Sequence, residues 1–301
     1  EIIVSAFAGG IAVPTIFTNG TVHRFDVVRT ICALGRPITF AISLDGSSPN
    51  ENDYIRGAGR FKQTIQFIEH LLAERGESIS RPRIVIDTVI HPRNFRSLRS
   101  MYELLSRLGV DRWRVALPRN QGAYQNNVTQ LLLEEKDVLN EYEKFIAWYL
   151  EQRLQYNNPD VQIESFFRSS ALRGIRQHIF TENSFCCEYK RAALTIKPNG
   201  DVTSCTAFTN LVVGNIRHNP IGTIWYSEPM QKLKQLRVGD VEGCRGCEYL
   251  YLCGTGCRSI ALRNTGFLTS KDQSACGIYS FFHHRIIPLI QSFIPEYRFA
   301  L

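Results

Sequence analysis

The sequence predicts an α/β protein that gives way, toward its C-terminus, to a cysteine-rich domain. Three observations lead to this. Strand-like and helix-like patterns alternate over the first ~120 residues, which implies parallel strands covered by helices. A long amphipathic helical stretch follows. Eight of the nine cysteines then fall after residue 185.

The elements can be justified in order. Residues 12–17 form a short apolar run that ends at the turn signal Asn19-Gly20. Residues 26–34 are helix-compatible and stop at Gly35. Residues 38–44 form a second apolar run, closed by Asp45-Gly46. Ile65, Ile68, Leu71 and Leu72 repeat at helical spacing. Residues 83–90 are rich in β-branched side chains and read as a strand. Leu98, Met101, Leu104, Leu105 and Leu108 mark an amphipathic helix stopped at Gly109, and residues 113–117 give a further strand, with Trp113 as a core residue. Val138, Tyr142, Phe145, Ile146, Tyr149 and Leu150 share one helical face, which Asn157-Asn158-Pro159-Asp160 breaks. Residues 194–204 read as a β-hairpin around Pro198-Asn199-Gly200-Asp201, because Asn-Gly supplies the backbone that a tight turn needs. An apolar helix over residues 281–293 completes the chain.

With 301 residues, 44% of them hydrophobic, the chain can bury a sizeable core in about two domains. The net charge is +7, but Lys and Arg are scattered, with no long basic run and no RNA-binding aromatic motif, so no nucleic-acid partner is expected. No apolar run reaches the ~18 residues that span a bilayer. The opening Glu1-Ile2-Ile3-Val4 lacks a basic flank and a cleavage site. A soluble, cytoplasmic protein is expected, in a compartment that keeps thiols reduced.

The clustered cysteines therefore read as ligands. Cys244, Cys247, Cys253 and Cys257 are spaced C-x2-C-x5-C-x3-C, and Cys276 follows. Upstream, Cys187 precedes Gly200 by twelve intervening residues and Cys205 follows after four more. Thiolates are soft ligands that suit zinc or iron–sulfur centres. Gly254 and Gly256 let the backbone turn tightly between Cys253 and Cys257. On local chemistry alone, structural zinc and iron–sulfur both stay open.

The whole pattern resembles the seven-cysteine signature of SPASM domains, which follow a radical S-adenosylmethionine (SAM) barrel in peptide- and protein-modifying enzymes. Gly243-Cys244-Arg245-Gly246-Cys247-Glu248-Tyr249, Cys253-Gly254-Thr255-Gly256-Cys257-Arg258 and the segment from Ile196 to Val202 before Cys205 carry the likeness. So do Phe17-Thr18-Asn19-Gly20-Thr21 and Ile42-Ser43-Leu44-Asp45-Gly46, which are similar to the ends of the third and fourth barrel strands. The resemblance covers nearly the whole chain and favours iron–sulfur over zinc. It implies a partial (β/α) barrel lacking its first strands over residues 1–125, a helical connector over 126–185, a SPASM domain with a β-hairpin and short helices over 186–276, and a C-terminal helix over 277–301.

By that resemblance two auxiliary 4Fe–4S clusters divide the cysteines. Cys187, Cys205 and Cys257 hold the proximal one, with Cys186 a candidate fourth ligand, and Cys244, Cys247, Cys253 and Cys276 hold the distal one. Ser43 and Arg56 match positions that contact SAM, an Arg holding a carboxylate through paired N–H donors. The implied partners are a peptide or protein substrate and an electron donor such as flavodoxin or ferredoxin.

The chain also departs from the family. The C-x3-C-x2-C motif of the SAM-cleaving cluster is absent, as is Gly-Gly-Glu-Pro, and Cys32 stands alone in a helix as a core thiol. The expectation is a chain that starts at about the third barrel strand, from an incomplete gene or through natural loss, and that does not cleave SAM by itself. SAM and a third 4Fe–4S cluster belong to an intact enzyme, where a 5′-deoxyadenosyl radical abstracts hydrogen from a substrate side chain. Sulfatase-maturing relatives place an aspartate after the second signature cysteine. Thr206 stands there instead, which favours another peptide modification. Asp201 reads as a turn stabiliser, and His283 and His284 as surface residues of the last helix. The alternative is a non-catalytic cluster- or zinc-binding module that recognises a peptide.

Overall fold

The computed structural model describes residues 2–12, 15–75, 81–119, 127, 131–152, 159–173, 179–187, 191–209 and 211–297. It divides into two compact units, one of Glu1–Ile175 with Leu289–Tyr297 and one of Arg176–Pro288 with Arg298–Leu301.

The first unit opens with helix α1 (Ile2–Ala8), then β1 (Thr15–Thr18), α2 (Phe25–Ala33) and β2 (Thr39–Ser43). Next come α3 (Pro49–Arg56), α4 (Arg60–Glu74), β3 (Arg83–Val89), α5 (Leu98–Leu108) and β4 (Arg112–Ala116). The unit continues through α6 (Glu135–Gln152), β5 (Asp160–Ile163) and β6 (Phe167–Arg168). Strands β1 to β5 pair in order and in parallel, and β6 returns antiparallel to β5. This is the α/β fold with a parallel sheet that the alternation predicts.

Side chains alternate across a strand, so register sorts the two faces. Ile42, Ile86, Trp113 and Val161 lie in one row and are fully buried. Trp113 meets Phe145 of α6 edge-on, with centroids 5.5 Å apart, and its indole N–H donates to Thr88 Oγ1 at 2.9 Å. Burying a side chain of this size contributes roughly 5 kcal/mol before entropy is counted. The adjacent row, Ser43, Asp87, Arg114 and Gln162, is polar and half-buried. There the Arg114 guanidinium grips the Asp87 carboxylate with two bonds of 2.5 and 2.7 Å.

Three elements fall outside the periodicity argument. Helix α3 is polar nearly all round, so no apolar stripe announces it. Its signals are local: Ser48 at the N-cap, Pro49 in the first turn, and Glu51 accepting from the Ser47 N–H at 2.7 Å. Strands β5 and β6 are short and are fixed by pairing with β4 and with each other. Of the expected break at Asn157-Asn158-Pro159-Asp160, Asn157 and Asn158 lie outside the described residues, and Asp160 opens β5.

The second unit holds the predicted hairpin as β7 (Thr195–Ile196) and β8 (Asp201–Thr203), with a third antiparallel strand, β9 (Gly214–Asn215). Gly200 adopts φ +89° at the turn. Asp201 accepts from the amides of Asn199 at 2.7 Å and Asn215 at 2.9 Å, which holds its carboxyl below the usual range. This is the turn-stabilising role expected of it. Helices α7 (Ile221–Trp225), α8 (Glu228–Gln235), α9 (Leu250–Cys253), α10 (Arg258–Thr265) and α11 (Gln273–Phe281) follow. A π-helical turn (Phe282–Ile286) then runs into α12 (Ile287–Phe293), most of which belongs to the first unit. The apolar clusters of this unit are small: Val202, Val213, Ile224 and Met230 in one, and Val238 and Val241 packed with the thiols of Cys186 and Cys244 in the other. No described helix is long and apolar enough to cross a membrane.

Candidate metal centres

Local geometry, more than helix or strand, positions the thiols. Cys186 is tied to the Leu236 carbonyl through its N–H at 2.8 Å. Cys187 follows in the left-handed region at φ +54°, which few non-glycine residues adopt. Cys205 lies two residues beyond β8, where its carbonyl accepts from Thr203 Oγ1 at 2.9 Å. Cys244 and Cys247 sit on successive tight turns, the Cys247 N–H donating to the Cys244 carbonyl at 3.1 Å.

Between Cys253 and Cys257 the chain makes three consecutive left-handed residues, Gly254 at φ +55°, Thr255 at +77° and Gly256 at +72°. Both glycines are obligatory. A Cβ on Gly254 meets the Phe180 ring at 2.7 Å, and one on Gly256 meets Ala275 Cβ at 2.6 Å. Thr255 is β-branched and pays for the same conformation with strain. The tight turns foreseen at the two glycines are therefore present, with a third strained residue between them.

Two groups of thiols result. The Cys187 thiol lies in electrostatic range of Cys257, Cys186 and Cys205, and burial pushes it up to about 11. Cys253 lies in range of Cys276 and Cys244, and burial pushes it up to about 12. Cys244 feels Cys276 and Cys247, and Cys276 feels Cys247. Burial raises Cys186, Cys244 and Cys276 as well. Cys244, Cys247, Cys253 and Cys276 line one open cleft, together with Lys271 and Tyr279.

The donor set fits a soft metal centre. All nine cysteines are free, and thiols of this unit lie within electrostatic range of one another. Buried thiols with raised proton affinity release their protons when a metal cation takes their place. Backbone N–H groups already point at sulfur: that of Arg258 at Cys187, and that of Thr255 at Cys253. The Arg258 side chain is 1% exposed and pulls down the proton affinity of both Cys186 and Cys244. Its Nη atoms donate to the carbonyls of Leu268 at 2.8 Å, Ser270 at 2.6 Å and Thr255, while its Nε–H has no partner. A buried cation with an unused donor beside the thiols is the counter-charge an anionic thiolate cluster needs.

Sequence reasoning assigned no role to Arg258 or Asp272. Asp272 joins the two groups. It accepts from the Cys257 N–H at 2.8 Å and caps α11, which carries Cys276, through the Ala275 N–H at 3.4 Å. An aspartate just before an apolar run is an N-cap signal that was available to find it.

In the sheet unit, Ser43 ends β2 in register with Asp87. The Arg56 Nε donates to Asp45 at 2.6 Å, and Asp45 is fully buried. Asp45 is the hub of this strand end. It accepts from the Val89 N–H at 2.8 Å, its N–H donates to Asn52 Oδ1 at 3.0 Å, and its carbonyl accepts from Asn94 at 2.7 Å. One edge of the Arg56 fork is thus engaged within the protein. Cys32 is half-buried in α2, apart from the other thiols in sequence and in unit.

Residues 186–248 match the SPASM family, an iron–sulfur cluster-binding domain. The chain is 26% identical over 246 residues to the AdoMet-dependent heme synthase of Nitratidesulfovibrio vulgaris, covering 75% of this chain and 61% of that protein. It is 24% identical over 246 residues to the mycofactocin maturase MftC of Mycobacterium tuberculosis, covering 80% of this chain and 57% of that one. The chain therefore spans less than two thirds of the length of these curated relatives. Among solved structures, SuiB of Streptococcus suis superimposes with a TM-score of 0.67 at 19% identity, over 91% of this chain and 62% of that one. The enzyme anSMEcpe with bound AdoMet superimposes with a TM-score of 0.66 at 16% identity, over 96% and 77%.

Proposed function

We propose that this chain, which carries a SPASM iron–sulfur domain and is related to radical SAM enzymes, is the cluster-bearing part of a peptide or protein maturase. The observation that carries the reading is the electrostatic coupling among the thiols of the second unit beside a buried arginine. In this reading Cys187, Cys205 and Cys257, with Cys186 beside them, hold one 4Fe–4S centre, and Cys244, Cys247, Cys253 and Cys276 hold a second. When bound, such clusters supply an electron acceptor or an anchor for substrate. Arg258 offsets their negative charge, and the N–H groups of Thr255 and Arg258 orient the sulfurs. The polar row Ser43, Asp87, Arg114 and Gln162, with the free edge of Arg56, offers the hydrogen-bonding surface for SAM on the sheet unit.

A peptide substrate is the class favoured by two of the similar proteins, the mycofactocin maturase and SuiB, which was solved bound to its precursor peptide SuiA. Flavodoxin or ferredoxin is the electron donor of this scheme. No cysteine besides Cys32 precedes Cys186, so these 301 residues alone do not assemble a C-x3-C-x2-C cluster.

The test is anaerobic reconstitution of the full chain with iron and sulfide. About eight irons per chain are expected, falling to about four in a Cys205→Ser/Cys257→Ser variant and in a Cys247→Ser/Cys276→Ser variant. Two zincs and no iron would instead establish the binding-module alternative. With SAM and a strong reductant the chain by itself forms no 5′-deoxyadenosine, and its formation would overturn that part of the reading.

A further inference from the structure

Away from the thiols, three other metal-ligating side chains converge in the second unit. Ligand atoms of Glu248, His283 and His284 all lie within 4.8 Å of one another. Adjacent residues on an α-helix point about 100° apart, so neighbouring histidines do not ordinarily share a ligand. Here residues Phe282–Ile286 form a π-helical turn between two α-helical segments, an irregularity that often marks functional sites. It brings the two imidazoles to a centroid separation of 4.9 Å, edge to face.

Each ring is also oriented from outside. His284 Nδ1 lies 3.1 Å from the Ser280 carbonyl, which can only accept. Nδ1 of His284 therefore carries the proton, and its Nε2 keeps a lone pair. His283 Nδ1 bonds the Tyr251 hydroxyl at 3.1 Å. The Tyr249 ring packs against both imidazoles, at 5.4 and 5.6 Å. Imidazoles fixed through one nitrogen by a carbonyl or hydroxyl, leaving the other free, are the usual arrangement of metal-binding histidines. Glu248 is exposed, with the Tyr249 hydroxyl in hydrogen-bond contact with its carboxylate.

We propose that Glu248, His283 and His284 form a mononuclear site for a divalent transition-metal ion, separate from the cysteine groups. Two imidazoles and a carboxylate, with room for water, suit zinc. The ion fastens the loop that follows Cys247 to the π-helical turn that follows α11. It is a clip on the cysteine-rich unit and takes no part in electron transfer.

The test uses the full chain, reconstituted anaerobically with iron and sulfide, stripped of loose metal and titrated with zinc against a chromophoric chelator. Wild type is expected to take up one zinc per chain more than a His283→Ala/His284→Ala variant, at equal iron content. Tyr251→Phe, which removes only the outer bond, is expected to weaken zinc binding by about 10–100-fold. Equal zinc uptake by wild type and the double variant overturns the proposal. Should the double variant not fold, Glu248→Ala decides, because the side chain is exposed: an unchanged zinc affinity overturns the site, and a loss of tenfold or more supports it. Zinc lodged in the cysteine groups in place of iron adds equally to wild type and variants. A failure of the iron–sulfur reading is therefore seen separately, as missing iron.

Discussion

Glu164 offers a sharp test of the electrostatics of the sheet unit. It follows β5 directly, in the left-handed region at φ +49°, and its carboxylate accepts from the Leu117 N–H. Burial, opposed by that bond and by Arg119, lifts its pKa from 4.5 to about 7. The fully buried Tyr142 hydroxyl, which has no hydrogen-bond partner, feels the Glu164 charge and is itself raised well above its usual value. Because the folded state holds the Glu164 proton more tightly than the unfolded chain, ionisation works against folding. The cost is absent below the unfolded value, grows through the window from 4.5 to about 7, and levels off near 3 kcal/mol above it. From about pH 6 to about pH 8 it grows by about 1 kcal/mol. Glu164→Gln keeps the acceptor for Leu117 and removes the charge. Urea unfolding of both proteins at the two pH values, followed by tryptophan fluorescence, reads the difference. The variant should gain about 1 kcal/mol on wild type as pH rises. Parallel behaviour of the two proteins, to within a few tenths of a kcal/mol, refutes the account of Glu164 as a carboxyl held neutral by burial.

Two further outcomes follow from other parts of the molecule. Arg56→Met strands the Asp45 carboxylate, which is 0% exposed, with the Val89 N–H as its remaining donor, and should cost about 3 kcal/mol in urea unfolding. Most of that should return in Asp45→Asn/Arg56→Met, and a cost under about 0.5 kcal/mol would class the pair with ordinary surface bridges. Gly256→Ala meets both a left-handed φ of +72° and an Ala275 Cβ at 2.6 Å, so about 2–5 kcal/mol should be lost and cluster iron should leak. Gly246→Ala shares the conformation, at φ +69°, but has nothing within 4 Å, and should cost only about 1 kcal/mol. Equal losses at the two glycines would remove close packing from the explanation.

The legible parts of this chain were those written in local pattern. Period-2 and period-3.6 apolar runs located β2, β3, β4, α4, α5 and α6, because burying one face is what makes each element stable. The Asn199-Gly200 turn located the hairpin, and spacing singled out the cysteines as candidate ligands. Helix α3 escaped because its signals are a cap and a proline, and an apolar stripe is missing. Strands β5, β6 and β9 escaped because two to four residues carry too little pattern, and only pairing partners far along the chain define them.

By itself, then, the sequence determined the α/β class, the hairpin and the set of thiols, since each depends on neighbours in the chain or on residue chemistry. Tertiary structure alone decided that a buried Arg258 sits beside the thiols, that Asp45 engages Arg56, and that a π-turn sets His283 and His284 beside Glu248. Those outcomes depend on close approach between residues distant in sequence. Such approach is fixed by left-handed turns, missing Cβ atoms and buried charges that are satisfied only once the chain has closed around them.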